Sequence, residues 1–385
     1  AVTSFTLSAA ATTTVNNTTL TFIKGTGDYN VAIGNYSQDG FTSGLGNVSV
    51  GYHSLGAITS GQYNTALGHQ AGYSATGSYN VYLGRNASVY GTSQSHCIAI
   101  GNAALSGDGS TAPTGNYNIA IGGLSLDAST SGHSNIAIGY EAGTAMVNGN
   151  YLTAVGHNAG LTIVDGHQCT AIGFNALAAN ADNYNTAVGA GSLTNCTGTE
   201  NTAIGQAAGN GMTSGSQNVA IGYASLDATV TGSYNVAAGV MSAGQITSGQ
   251  YNVAIGSSAL SAATTISDNT AIGHNALANV TLEDNVAVGS RAMKYSTSTS
   301  DCVAVGRNAL GGDGTTAPTG DNNVGIGSYS LDASTTGYSN VAIGSYAGSA
   351  INSANQNVAI GHSALQTEDA SGGNVAIGHN ALMDQ

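Results

Sequence analysis

A glycine returns at near-constant intervals through almost the whole of this chain, at positions 34, 51, 68, 84, 101, 122, 139, 156, 173, 189, 205, 222, 239, 256, 273, 289, 306, 327, 344, 361 and 378. The step is 17 residues in most cases, 16 in some and 21 in two. Each glycine closes a phrase of the form Asn-Val-Ala-Ile-Gly, first met at Asn30 to Gly34. A period of this length leaves few architectures open. A unit that cannot bury its own apolar face must stack on the next, and the chain is expected to be a solenoid.

The copies act as an internal alignment. The residue before the central position is β-branched every time, as in Val31, Val48, Thr65, Val81 and Ile98, and the residue after it is Ile, Val or Leu except at Ala238. Alternation along a strand puts these two on one face, and β-branched aliphatics suit a pleated, half-buried surface. They are expected to form the wall of a core. The central residue is Ala except at Ser49, Tyr82 and Gly325. A solvated face would not demand so small a side chain, so this face is expected to pack closely on another backbone, within the coil or in another chain. Three residues after each glycine stands Ala or Ser, and the next residue is usually Leu or Gly. Each coil thus offers a strand, a tight bend and a short second segment. The first residue of the phrase is Asn except at Cys97, Cys169, Cys302 and Leu152. Stacked Asn side chains can hydrogen-bond as a ladder, or Asn can favour the turn that precedes the strand; both readings put it at a coil corner.

The expected fold is therefore all-β, a parallel β-solenoid or β-roll of about 21 coils with a 16–17-residue repeat, over residues 28–385. Residues 1–27 differ. Ser4 to Ser8 and Thr19 to Lys24 alternate polar with apolar around a Thr/Asn-rich turn, which predicts two short strands forming an N-terminal cap or junction. A longer period overlies the first. The two 21-residue steps contain nearly the same loop, Gly107 to Gly115 and Gly312 to Gly320, with the only two prolines of the chain. Function tends to sit on protruding loops, so Asp108, Thr111, Pro113, Asp313, Thr316 and Pro318 are candidate receptor contacts. Tyr63, Tyr79, Tyr117, Tyr234 and Tyr251 precede the phrase, and a row of rings at a coil corner is a candidate surface for stacking on sugars.

Composition excludes several functions. Five Lys and Arg against nineteen Asp and Glu give a formal charge of −14, so no nucleic-acid partner is expected. No apolar run approaches the roughly 18 residues of a membrane span, and no membrane insertion by this segment is expected. His69, His157, His274, His362 and His379 follow the glycine, but Tyr52, Arg85, Phe174, Val240 and Ser257 fill the same slot. Such tolerance marks a solvated position, and no metal site is expected. Neither a phosphate loop leading into a helix nor a nucleophile, base and acid set stands out, so neither a cofactor nor an enzyme activity is expected. Cys97 and Cys169 lie four coils apart, about 19 Å at the strand spacing, beyond one disulfide. Cys196 falls in an inter-strand loop. Free thiols or buried small residues are expected.

The few large apolar residues per coil fall short of offsetting the ordering of 17 residues, which points to packing between chains. The phrase Asn-Val-Ala-Ile-Gly-x-x-Ala-Leu resembles the YadA-like head repeat of trimeric autotransporter adhesins, and related repeats of bacteriophage tail fibres. The resemblance covers residues 28 to 385. It implies a left-handed parallel β-roll in a homotrimer, with Val31 and Ile33 and their equivalents lining each roll and Ala32 and its equivalents facing neighbouring chains. It also implies a non-catalytic, extracellular or cell-surface adhesin holding a cell to a host-surface protein or glycan. A virion tail fibre for host attachment is the alternative. An ice-binding solenoid is the third reading; it needs a flat, regular Thr row, whereas Thr is scattered among Val at the position expected to face inward.

Overall fold

The computed structural model describes residues 29–107, 109, 112–179, 183–312, 314, 318–366 and 372–383. The expected cap strands lie outside these. The chain forms two compact units, Ala1–Ser131 and Gly132–Gln385. Among the described residues the first carries six strands of three residues each, β1 (Val31–Ile33) to β6 (Ile119–Ile121). The second carries fifteen, β7 (Ile136–Ile138) to β21 (Val375–Ile377). Within each unit successive strands pair in parallel with equivalent residues opposite one another, as in Val31 on Val48 and Ala254 on Ala271. Both units are parallel β-solenoids with the sequence period as their rung.

The strands are short because the coil bends on both sides of them through left-handed backbone. The residue before the Asn has positive φ throughout, 56° at Tyr63 and 58° at Gln217. So do the second and fourth residues after the glycine, 55° at Gln70 and 48° at Leu55. Val, Ile and Thr never occupy these three positions, since a β-branched side chain is a steric outlier there. Leu or Gly at the fourth position thus reflects backbone as well as packing. The phrase-ending glycine is more restricted still. At Gly256 φ is +131°, and a Cβ would stand 2.6 Å from the carbonyl oxygen of Gly273 in the next coil. That conformation is essentially closed to other residues, and the close approach of stacked backbones closes it a second time.

The sense of the strand faces is opposite to the sequence expectation. Ala32, Ala171, Ala254 and their equivalents are the buried residues, whereas the flanking β-branched aliphatics point outward: Ala171 is 0 % exposed and its neighbour Ile172 38 %. Coil geometry supplies the reason. The fourth residue after each glycine faces the strand across a thin interior; a Cβ on Gly348 would lie 3.6 Å from the Cβ of Ala342, and one on Gly160 3.7 Å from that of Ala154. With Leu at that position there is room only for Ala opposite. Leu177, Leu193, Leu226 and Leu277 supply the bulk of the core from the second segment, and the valines and isoleucines have no space inside.

Four of the coils that lack a leucine refill the core from the same turn. Where the fourth position is Gly143, Gly160, Gly209 or Gly348, the buried residue three places later is Met146, Ile163, Met212 or Ile351. The replacement side chain occupies the vacated space, with Ile163 Cδ1 3.3 Å from where a Gly160 Cβ would be. Close packing of this kind makes interiors sensitive to single methylenes. Polar exceptions are matched too: Gln38 replaces Leu, Ser49 replaces Ala, and Gln38 Nε2 donates to Ser49 Oγ at 3.0 Å.

At the remaining corner the Asn residues form a buried ladder. Asn64 donates to Asn47 Oδ1 from its backbone N–H at 2.9 Å and from Nδ2 at 3.1 Å, and Nδ2 also donates to the carbonyl of Gly77 at 2.9 Å. In the second unit the backbone link runs unbroken from Asn185 through Asn201, Asn218, Asn235, Asn252 and Asn269 to Asn285. Cysteine substitutes as an acceptor: Cys97 N–H donates to Asn80 Oδ1 at 2.8 Å, and Cys97 Sγ accepts from Asn118 N–H at 3.4 Å. All four cysteines are buried thiols outside any disulfide. Burial pushes the Cys97 and Cys302 thiols up to about 11.

Candidate interaction surfaces

The outward strand positions make two parallel columns in each unit. In the second unit Ile138, Ile172, Ile204, Ile221, Ile255, Ile272, Val305, Ile326 and Ile343 are exposed along one column. Adjacent rungs sit about 4.8 Å apart, so the aliphatic groups form a continuous ridged face. Isolated surface aliphatics need no explanation, but contiguous apolar patches beyond a few hundred Å² mark interaction sites. The first column is interrupted by four consecutive threonines, Thr153, Thr170, Thr186 and Thr202, paired rung on rung. Sequence reasoning recognised both columns but put them inside.

The predicted tyrosines are exposed, Tyr63 at 48 % and Tyr117 at 58 %. They stack on one another along the coil axis: Tyr63 on Tyr79 at 5.2 Å between ring centroids, Tyr79 on His96 at 5.0 Å and His96 on Tyr117 at 5.1 Å. In the second unit Tyr234 stacks on Tyr251 at 5.0 Å, with the rings 6° from parallel. Ring faces inside such a row are taken up by neighbouring rings, so the row presents edges and hydroxyls outward. His96 completes the first row and was not singled out from sequence, although it holds the same left-handed position before the phrase. A second row, Tyr140, His157 and Phe174, follows the glycine column at 5.4 and 5.5 Å.

Of the candidate loop residues, Asp108, Thr111, Asp313 and Thr316 lie outside the described residues. Pro113 and Pro318 are buried. Their carbonyls accept from Thr92 and Thr297 of the preceding coil at 3.1 and 3.3 Å, which makes both prolines part of the coil wall. Each loop lies against a tyrosine, Gly109 beside Tyr90 and Gly314 beside Tyr295.

Among the described residues no group of three or more His, Cys, Asp or Glu is placed to hold a metal ion, and no helix is long and apolar enough to cross a membrane. A groove lined by Ala224, Asp227, Met241, Gly244, Gln245, Ser258 and Ser261 contains one carboxyl, Asp227, which burial raises above its ordinary range. The lining holds no histidine or lysine to activate either serine. No protein-family model matches the chain, and no curated protein matches it either.

Proposed function

We propose that this chain is a non-catalytic fibrous protein that associates with two further copies of itself and serves outside the cell as a stiff element for attachment to a surface. The observation that carries this reading is the pair of outward aliphatic columns. A partner for them must offer apolar groups at the same 4.8 Å rise over many rungs, and a second copy of the chain does so by construction. The columns differ in bulk, mostly Val or Thr in the first strand position and mostly Ile or Val in the third. This suits a heterologous contact in which the first column of one chain meets the second column of the next. Three such contacts close about an axis and leave no column uncovered. The trimer inferred from sequence is retained with its interface on the aliphatic face instead of the alanine face.

The fifteen coils of the second unit span roughly 70 Å at the strand spacing, a useful reach for a shaft or head on a cell or on a virion. Light scattering tests the assembly: a mass near three times the 37.7 kDa of one chain is expected, and a monodisperse single chain would overturn it.

A second reading has one observation in its favour. Thr153, Thr170, Thr186 and Thr202 stand on the outward face in four successive rungs, the flat hydroxyl row that an ice-binding surface needs. Thermal hysteresis in a solution of the chain would favour it, and freezing at the equilibrium melting point would remove it.

A further inference from the structure

The chain has five basic residues, Lys24, Arg85, Arg291, Lys294 and Arg307, in a background of formal charge −14. Three of them fall on two adjacent coils of the second unit. Arg291 and Lys294 bracket one turn, closed by the Lys294 N–H donating to the Arg291 carbonyl at 3.3 Å. Arg307 lies one coil on, where the N–H of its neighbour Asn308 donates to the carbonyl of Ser290 at 3.1 Å. Arg291 and Arg307 are exposed and Lys294 is half-exposed.

Two of these cations rest on aromatic rings without being neutralised. The Arg307 guanidinium lies over the ring of Tyr329 at 5.4 Å, and Tyr329 stacks in turn on Tyr346 at 5.1 Å, 5° from parallel. A ring face attracts the guanidinium without using up its N–H donors, which stay available to an oxyanion. Lys294 Nζ donates to the Tyr295 hydroxyl at 3.0 Å and sits 4.6 Å from the ring centroid. The hydrogen bond and charge of Lys294, with the charge of Arg291 beside them, hold the Tyr295 phenol below the usual tyrosine range. Among the described residues none of the three basic side chains makes an ion pair with a carboxylate.

The duplicated loop provides an internal comparison. Tyr90 meets Gly109 of the first loop as Tyr295 meets Gly314 of the second, so the scaffold is the same. Around Tyr90, however, Asn86 and Val89 stand where Arg291 and Lys294 stand around Tyr295, and Asn102 stands where Arg307 does. The one cation of that coil, Arg85, donates from Nε to Asn102 Oδ1 at 3.3 Å. The basic cluster belongs to one copy of a repeated structure and is not a requirement of the fold.

We propose that Arg291, Lys294 and Arg307, with the edges of Tyr295 and Tyr329, form a binding site for the carboxylate or sulfate groups of an acidic polysaccharide. A planar Arg fork recognises a planar oxyanion in two hydrogen bonds, and a lysine adds a point charge. A polysaccharide fits better than other polyanions because its charges are spaced along a neutral, hydroxyl-rich backbone. A duplex nucleic acid, with a charge per roughly 1.7 Å of axis, or an anionic bilayer would repel the acidic body around a patch of three cations. The inference rests on the attachment reading and gives it a ligand class.

The test measures binding of the full chain to immobilised polygalacturonate, dextran sulfate and neutral dextran, with phosphatidylserine vesicles as a fourth surface. Binding to at least one acidic polymer is expected, weakening as salt is raised, with none to neutral dextran. The triple variant R291Q/K294Q/R307Q is expected to bind at least about tenfold more weakly, R291K/R307K to fall between, and R85Q to match the parent. Equal binding by the triple variant, equal binding to neutral dextran, or binding to the vesicles alone would each overturn the proposal. A trimer that ignores both acidic polymers would sink this inference and leave the assembly reading standing. A single chain that binds dextran sulfate through these residues would do the reverse.

Discussion

A Cβ on Gly72 would stand 2.4 Å from Cδ2 of Tyr82. The largest side chain of the interior therefore occupies the space given up by a leucine position in the neighbouring coil. Tyr82 is the one departure from small residues at the centre of the strand, and it is buried. Its partner change is Gly72, with Ala75 three residues on where other glycine coils carry Met or Ile. The ring is accommodated inside one chain.

Tyr82→Ala is expected to cost about 3–5 kcal/mol, the range for removing a buried aromatic ring, read as a lower urea midpoint by far-UV circular dichroism. Gly72→Leu alone is expected to be as damaging, through overpacking. The double variant should recover much of the loss. Additive losses would show that the two positions do not share a space.

Asn218→Ala removes the acceptor for two donors of Asn235 and the donor to the Gly232 carbonyl. Leaving buried groups unsatisfied costs about 1–3 kcal/mol each, so a loss of about 2–4 kcal/mol is expected. Asn218→Cys should be milder, because a sulfur keeps the acceptor, as Cys97 does toward Asn118. Denaturant melts of the two variants side by side check the order.

Gly256→Ala combines a φ of +131° with a 2.6 Å approach to the next coil, whereas at Gly378 the nearest atom to an added Cβ lies 4.0 Å away and the strain of φ +127° stands alone. The first substitution is expected to open the solenoid locally, seen as new protease cleavage near residues 250–275. The second should leave the cleavage pattern unchanged. Identical patterns would remove stacked backbone approach as the reason for the glycine column.

Cys97 and Cys302 have an ordinary thiol value of 9.0, raised by burial to about 11 in the fold. Their stabilising contribution is complete below pH 9, where both states hold the proton. It declines as pH rises from 9 to 11, because the unfolded chain then loses its thiol protons first. Stability is therefore expected to fall across that window, and Cys97→Asn with Cys302→Asn should reduce the fall. A component from Tyr82 remains, since burial raises its phenol as well.

Val253→Lys with Ile255→Glu changes two outward positions of one rung. If this face is covered by copies of the chain, light scattering should report a lower mass while the circular dichroism of the coil persists. An unchanged mass would place the self-association elsewhere.

The sequence determined the period, the strand phrase, the parallel in-register stacking, the Asn corner and the buried cysteine slot, because each repeats often enough to expose its own constraint. It also held the left-handed positions, visible as three columns from which Val, Ile and Thr are absent. Which side of the strand faces inward was decided only in three dimensions. Alternation says that Val31 and Ile33 share a face and that Ala32 takes the other, but it has no sign. The sign comes from closure of the coil, where a leucine six residues beyond each alanine, or the glycine in its place, cannot be read as standing across from it until the turn is drawn. The basic cluster was only half visible: the period puts Arg291, Lys294 and Arg307 on adjacent coils, but only the tertiary structure sets the Arg307 guanidinium over Tyr329, with Tyr346 stacked on that ring.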